Sequence, residues 1–374
     1  MKFKAFIVFI ALLSCLLFTY ESFAKESGRN ADKKDDGGKL SIGGLYYLSY
    51  KMGKQSGGEY SEFFVYRAYL TVQKSILPYL SSRITLDANQ DEEGDGRGDM
   101  EVRIKYVYAN FILNDFLFIT SPNIEFGMVH GPWLDFEGHI NYYRMREKMF
   151  IARNGIINSA DFGVTLSGLL GGELDEQYRR EVNDKYPCRW GSFACGIYNG
   201  GGYHAVEENT QKAVEGRLSI RPLPVLLPGL QLSGFTVFGR GNATEENGDL
   251  PNWELYLTML SYEHKYITFT AQYAAGEGNQ KGDFVKDNNL MSSVSYDGFS
   301  LFSEIKIGEH WKYIAGYDEF RPRTSQDDFA RYFIGIGYDF GGRNILMFDY
   351  DVKDYDSSGK TDDHWYQLSM QVKF

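Results

Sequence analysis

The segment 364–374 constrains the chain more than any other. His364, Tyr366, Leu368, Met370, Val372 and Phe374 fall on one face of an extended backbone; Trp365, Gln367, Ser369, Gln371 and Lys373 fall on the other. Period-two alternation marks a β-strand with two unlike faces. The same pattern returns along the chain. In 80–90, Ser82, Ile84, Leu86 and Ala88 oppose Arg83, Thr85, Asp87 and Asn89. In 99–109, Met100, Val102, Ile104, Tyr106 and Tyr108 oppose Glu101, Arg103, Lys105, Val107 and Ala109. In 344–353, Leu346, Phe348, Tyr350 and Val352 oppose Asp349, Asp351 and Lys353. A soluble sandwich would turn its apolar faces to a shared core. Here the other face carries charge and the apolar face is rich in Tyr and Phe, which fits lipid outside and water inside.

Composition agrees. Tyr (28) and Phe (27) dominate the aromatics, Gly is 41 and Pro only 9. Alternation hides hydrophobicity from bulk measures, so a membrane barrel reads as polar. No convincing amphipathic helix of the kind a soluble enzyme would use is visible. At the N-terminus, Lys2 and Lys4 precede an apolar run from Ala5 to Phe18, and Ser22-Phe23-Ala24 offers small residues before a cut. This is the layout of a secretory signal peptide, 1–24. Leu13-Ser14-Cys15 matches a lipobox only loosely. Removing Lys2, Lys4 and Glu21 takes away a net +1 and shifts the formal charge from −11 to −12. No later apolar stretch approaches the roughly 20 residues of a membrane helix. Residues 25–39 are charged, lack apolar residues and are expected to form a flexible periplasmic lead-in.

The rest, 40–374, divides into about sixteen expected strands, an even number as bacterial barrels require. They fall near 40–50, 61–74, 80–90, 99–113, 122–130, 160–170, 192–200, 212–222, 229–240, 252–263, 265–276, 290–307, 311–320, 329–340, 344–353 and 364–374. Alternate connectors are tight, among them Ser75–Tyr79, Pro224–Pro228 and Gly341–Arg343, and are read as periplasmic turns. Two on that side, 114–121 and 171–191, are longer than the rule. The second contains Cys188, just before a strand with Cys195; in an oxidising periplasm a local disulfide between them is expected.

The longest loop is 131–159, third on the extracellular side. It is dense in charge (Asp135, Glu137 and Glu147 against Arg144, Arg146, Lys148 and Arg153) and unusually apolar (Trp133, Leu134, Phe136, Ile140, Met149, Phe150, Ile151). Apolar residues need a surface to pack on, and the inner barrel wall would serve. The loop is therefore expected to fold into the lumen, with Arg144, Arg146 and Arg153 facing acidic residues across a narrow eyelet. Charge at a constriction sets selectivity. The expected lumen wall adds Arg67, Arg83, Arg103 and Lys105 among basic and acidic residues in near balance, while the surplus acid lies in loops such as 91–98 and 354–363.

Other chemistry is weakly signalled. His130 and His139 lie near Asp135 and Glu137, but nine residues of separation in a loop is no recognised ligand spacing. Asp91-Glu92-Glu93-Gly94-Asp95 lacks the order of a calcium loop; ion or lipopolysaccharide bridging is the most it implies. No Ser-His pair stands out. No catalytic residue, cofactor, metal or nucleic-acid partner is expected, and the chain is not read as an enzyme.

The ending at Phe374 resembles the C-terminal assembly signal read by the barrel-insertion machinery of bacterial outer membranes. A family resemblance follows from Phe126-Gly127-Met128-Val129-His130-Gly131-Pro132-Trp133, Ser159-Ala160-Asp161-Phe162-Gly163-Val164-Thr165-Leu166-Ser167-Gly168, Arg67-Ala68-Tyr69-Leu70 and Tyr198-Asn199-Gly200-Gly201-Gly202-Tyr203. These are similar to segments of the phosphate-selective porin O and P family. The resemblance implies a 16-stranded, trimeric porin with an inward loop in the bacterial outer membrane, passing small hydrophilic solutes and ions, anions such as phosphate among them. The alternatives are a structural or adhesive barrel and a barrel enzyme.

Overall fold

The structure is a computed structural model and describes residues 38–91, 96–245, 249–286, 289–323, 328–356 and 360–374. The expected signal peptide, most of the lead-in and Glu92 to Asp95 lie outside the described residues.

The described residues form eighteen strands. These are β1 (Leu40–Gln55), β2 (Gly58–Leu77), β3 (Leu80–Gln90), β4 (Met100–Ile112), β5 (Ile119–His130), β6 (Ala160–Leu170), β7 (Gly191–Tyr198), β8 (Ala213–Ile220) and β9 (Leu230–Arg240). There follow β10 (Asn252–Glu263), β11 (Ile267–Glu277), β12 (Val285–Lys286), β13 (Asn289–Ser293), β14 (Ser295–Ile307), β15 (Trp311–Pro322), β16 (Phe329–Asp339), β17 (Ile345–Tyr355) and β18 (Asp363–Lys373). All but β12 and β13 join one closed antiparallel barrel of sixteen strands, each beside its sequence neighbour; β12 and β13 pair separately in the connector between β11 and β14. Among the described residues three short helices, α1 (Pro132–Ile140), α2 (Phe150–Arg153) and α3 (Glu176–Glu181), lie in connectors. Among the described residues no helix is long and apolar enough to cross a membrane. A closed barrel has no need of one, because closure pairs every strand edge.

The seam pairs β1 with β18, from Leu45 opposite Lys373 to Lys54 opposite His364. Gly44 N–H donates to the Phe374 carbonyl at 2.9 Å and Phe374 N–H to the Gly44 carbonyl at 3.0 Å. A side chain at Gly44 would meet the Phe374 ring, since a Cβ there would lie 2.2 Å from its Cζ.

Burial is inverted relative to a water-soluble sheet. Along β18, Trp365, Gln367, Ser369 and Gln371 are buried and Tyr366 and Leu368 exposed. Val102, Leu232, Phe238, Ile305, Ile334 and Phe348 are likewise exposed, while Asp87, Asp349, Asp351 and Arg331 are buried. Outward apolar rows of this kind suit hydrocarbon.

Two stretches depart from the expected alternation. In β4, Lys105 and Tyr106 are both buried and Val107 is exposed. The pairing explains it: Thr85 faces Tyr106 but Leu86 faces Ile104, so Lys105 is an extra residue in a β-bulge. One inserted residue flips every later side chain to the other face. Tyr106 and Tyr108 therefore point inward, against the sequence expectation. A second bulge, where Tyr47 faces Arg67 and Leu48 faces Val65, leaves Tyr66 unpaired in β2. From β9 to β11 the alternation holds, but part of the inner face is apolar rather than wet, beside the polar Gln231, Ser233, Thr268, Thr270 and Gln272. Phe235, Val237, Trp253, Leu255, Leu257, Met259 and Ala274 are buried there in one cluster with the residues of 131–159.

The expected disulfide is not present. Cys188 is buried, donating to the Tyr186 carbonyl at 3.5 Å, whereas Cys195 is exposed. Alternation in β7 turns Cys195 to the outer face, opposite Leu166 and Gly216, away from the lumen where Cys188 lies.

Candidate functional site

The segment 131–159 lies inside the barrel. Pro132 at the first helical position presets the backbone for α1. The helix buries Trp133, Leu134, Phe136 and Ile140. Trp133 stacks on Phe235 of β9 with ring centroids 5.6 Å apart. Beyond α2, Ile156 and Ile157 join the same cluster with Phe150 and Ile151. Full burial of one large apolar side chain contributes about 1.5–3 kcal/mol, so several together outweigh the entropy of ordering a loop inside a channel.

Polar contacts then fix one flank of the loop to the far wall. Arg146 donates to Asp351 of β17 at 2.7 Å and lies 3.9 Å from Asp349. Its guanidinium also stacks over Phe333, 3.4 Å from the centroid. Arg153 bonds Asp318 of β15. Glu147 pairs with Arg331 of β16 at 3.3 Å. Tyr142 and Tyr143 both donate to Glu304 of β14, at 2.9 and 2.5 Å. Arg146 and Arg153 were expected to face acids across a gap; instead they bond those acids directly and close that side.

The two other acids named from sequence are also held. Glu137 accepts from Trp133 Nε1 at 2.9 Å and from Gln272 of β11 at 2.7 Å. Burial pushes its carboxyl from the ordinary 4.5 up to about 7, with both hydrogen bonds opposing. Asp135 is half-buried, and loss of solvent alone would raise it; Lys185, then His130 and His139, hold it well below the usual carboxylate range.

Arg144 differs from all of these. Its guanidinium turns to the opposite wall and lies 3.5 Å from the Tyr69 hydroxyl of β2. Lys105, the bulged residue of β4, lies 3.3 Å from the same hydroxyl. The Lys105 ammonium also stands over the rings of Tyr69 (4.8 Å), Tyr203 (5.5 Å) and Tyr106 (5.8 Å). Among the described residues no carboxylate is within ion-pair distance of Arg144 or Lys105. Around them, Arg67 bonds Asp87 and Asn89, each at 3.0 Å, and Tyr203 donates to the same Asp87 at 3.2 Å. Arg83 donates to Thr85 at 3.0 Å, lies 3.4 Å from His130 Nε2 and stacks over Tyr106 at 5.1 Å. Arg103 is nearer the surface and pairs with Glu101.

Of the residues named from sequence, the structure thus joins Arg67, Arg83, Lys105 and Arg144 in one tyrosine-lined group. It assigns Arg146, Arg153, Asp135 and Glu137 to anchoring contacts, and leaves Arg103 apart. The tyrosines were missed. Tyr69 lies in the quoted Arg67-Ala68-Tyr69-Leu70, but Tyr106 reaches the site only because of the bulge.

No family model matches the chain, and no curated protein matches it. Solved structures do. An anion-selective porin from Comamonas acidovorans aligns with TM-score 0.61 at 10% identity, over 90% of this chain and all of that one. Salmonella typhi OmpF, in a complex with daunomycin, aligns with TM-score 0.60 at 13% identity, over 91% and 99%. In-vitro folded OmpT, an outer membrane protein of Vibrio cholerae in a trimer form, aligns with TM-score 0.57 at 12% identity, over 91% and 100%. At these identities the likeness is one of fold.

Proposed function

We propose that this protein is an outer-membrane porin, a trimeric channel for passive diffusion of small hydrophilic solutes, whose constriction favours anions. The carrying observation is the imbalance across the lumen. Asp135 and Glu147 of the loop and Asp318, Asp351 and Glu304 of the far wall are engaged by Lys185, Arg331, Arg153, Arg146 and the two tyrosines, while Glu137 is held by Trp133 and Gln272. Arg144 and Lys105 instead share one neutral hydroxyl with no carboxylate in pairing range. A fixed charge in a narrow passage acts at close range, with little water to screen it, so these two cations should dominate the local field. Phosphate and small carboxylates are the anions such a group could pass. The fold neighbours support the reading, one of them described as anion-selective and another as a trimer.

Reversal potentials in planar bilayers under a KCl gradient test it. The wild type should favour chloride, and Arg144→Glu should move the reversal potential strongly toward cations. Cation preference in the wild type, or an unchanged value in Arg144→Glu, would overturn the assignment.

A further inference from the structure

The connector 171–190 lies on the rim that carries Phe374 and the short turns, yet it is far longer than its neighbours and does not hang free. Gly171 and Gly172 adopt φ of +77° and +78°, a region open to glycine, and turn the chain off the end of β6. A Cβ on Gly171 would lie 2.2 Å from the Trp190 ring, so the bend admits no larger residue. The hairpin continues past it: Leu174 N–H donates to the Pro187 carbonyl at 2.7 Å and Arg189 N–H to the Gly172 carbonyl at 2.8 Å. Asp175 then caps α3 by accepting from Tyr178 N–H at 2.8 Å.

The tip of this hairpin is inside the barrel. Asn183 is buried and donates to Glu263 of β10 at 3.0 and 3.1 Å. Arg221 holds the hairpin from the wall, donating to the Cys188 carbonyl at 2.9 Å and the Tyr178 hydroxyl at 3.0 Å. Lys185 reaches both oxygens of Asp135, at 2.7 and 2.6 Å, and Tyr186 donates to the same carboxylate at 2.7 Å. The Tyr186 ring meets Phe136 edge-on, with centroids 5.1 Å apart. Two insertions from opposite rims therefore meet at one carboxylate on α1.

We propose that the 171–190 hairpin is a latch that positions the inward loop, with Lys185 and Tyr186 as its positioning residues and Asp135 as its catch. The wall holds the loop by the flank that carries Arg146 and Arg153 and by one face of α1, through Trp133 on Phe235 and Glu137 on Gln272. The latch fixes α1 from below, and through it the distance between Arg144 and the Tyr69–Lys105 wall. The width and steadiness of the passage then depend on residues that do not line it. This rests on the channel reading above.

The test is single-channel recording on the purified, heat-modifiable barrel, paired with trypsin digestion of the same preparations. Lys185→Ala with Tyr186→Phe should raise open-channel noise and increase conductance by roughly 1.5- to 2-fold, and expose 131–159 to cleavage at Arg144 or Lys148. Lys185→Asp alone should do the same. The exchanged pair Asp135→Lys with Lys185→Asp should return noise and protection toward wild type, which loss of packing alone would not allow. Folded variants with wild-type noise, conductance and protection would overturn the latch, as would failure of the exchanged pair to recover. If wild-type barrels passed no current, the channel reading would fall by itself, and the digestion pattern would still decide the latch.

Discussion

At the residue scale, charge in this lumen is read by partner rather than by type. Arg144 and Arg146 are two positions apart, yet one meets phenols and the other carboxylates. Sequence gave both the same role because a loop without regular structure carries no periodicity to separate them. Glu137 offers a pH test. Its pKa is raised by burial to about 7 in the folded protein, against an ordinary 4.5. A raised acid binds its proton more tightly when folded, so the stability it contributes is full below about pH 4.5 and is lost as pH rises through about 7. Thermal unfolding in detergent should show wild type losing more stability than Glu137→Gln across that window. Identical slopes would mean that Glu137 is solvated.

At the element scale, the segment 131–159 behaves as a core rather than a loop. Its apolar excess was legible in Trp133, Phe136 and Ile151, and its entry into the lumen followed from that excess. What received it was also written in the sequence, in β10, where Trp253, Leu255, Leu257 and Met259 alternate with Tyr256 and Leu260. A barrel strand apolar on both faces turns one to lipid, here Tyr256 and Leu260, and the other to packed side chains. The assumption of a wet lumen hid this. The bulge at Lys105 was not legible at all, since an extra residue is defined only against its partner strand. Trp133→Ala should remove about 3–5 kcal/mol of packing from the loop. The barrel should still form, because its ladder does not involve Trp133, while trypsin should cut within 131–159 faster than in wild type. Equal cleavage rates would show that the loop is held by its ion pairs alone.

At the scale of the whole molecule, sixteen strands and their order were readable because period two repeats with tight turns on one side. Several ends were not, as with β1 and β2, which run beyond the expected segments to Gln55 and Leu77. Phe374 is proposed as an assembly signal, and its ring lies against Gly44 at the seam. Deleting Phe374 should lower the yield of heat-modifiable barrel in the membrane by several-fold, with export across the inner membrane unchanged; normal yield would count against the signal. The seam has one more consequence. Because β18 is the partner of β1, the barrel closes only when the two most distant of its described strands meet. Every truncated product, however nearly complete, is an open sheet with two sticky borders and no inside.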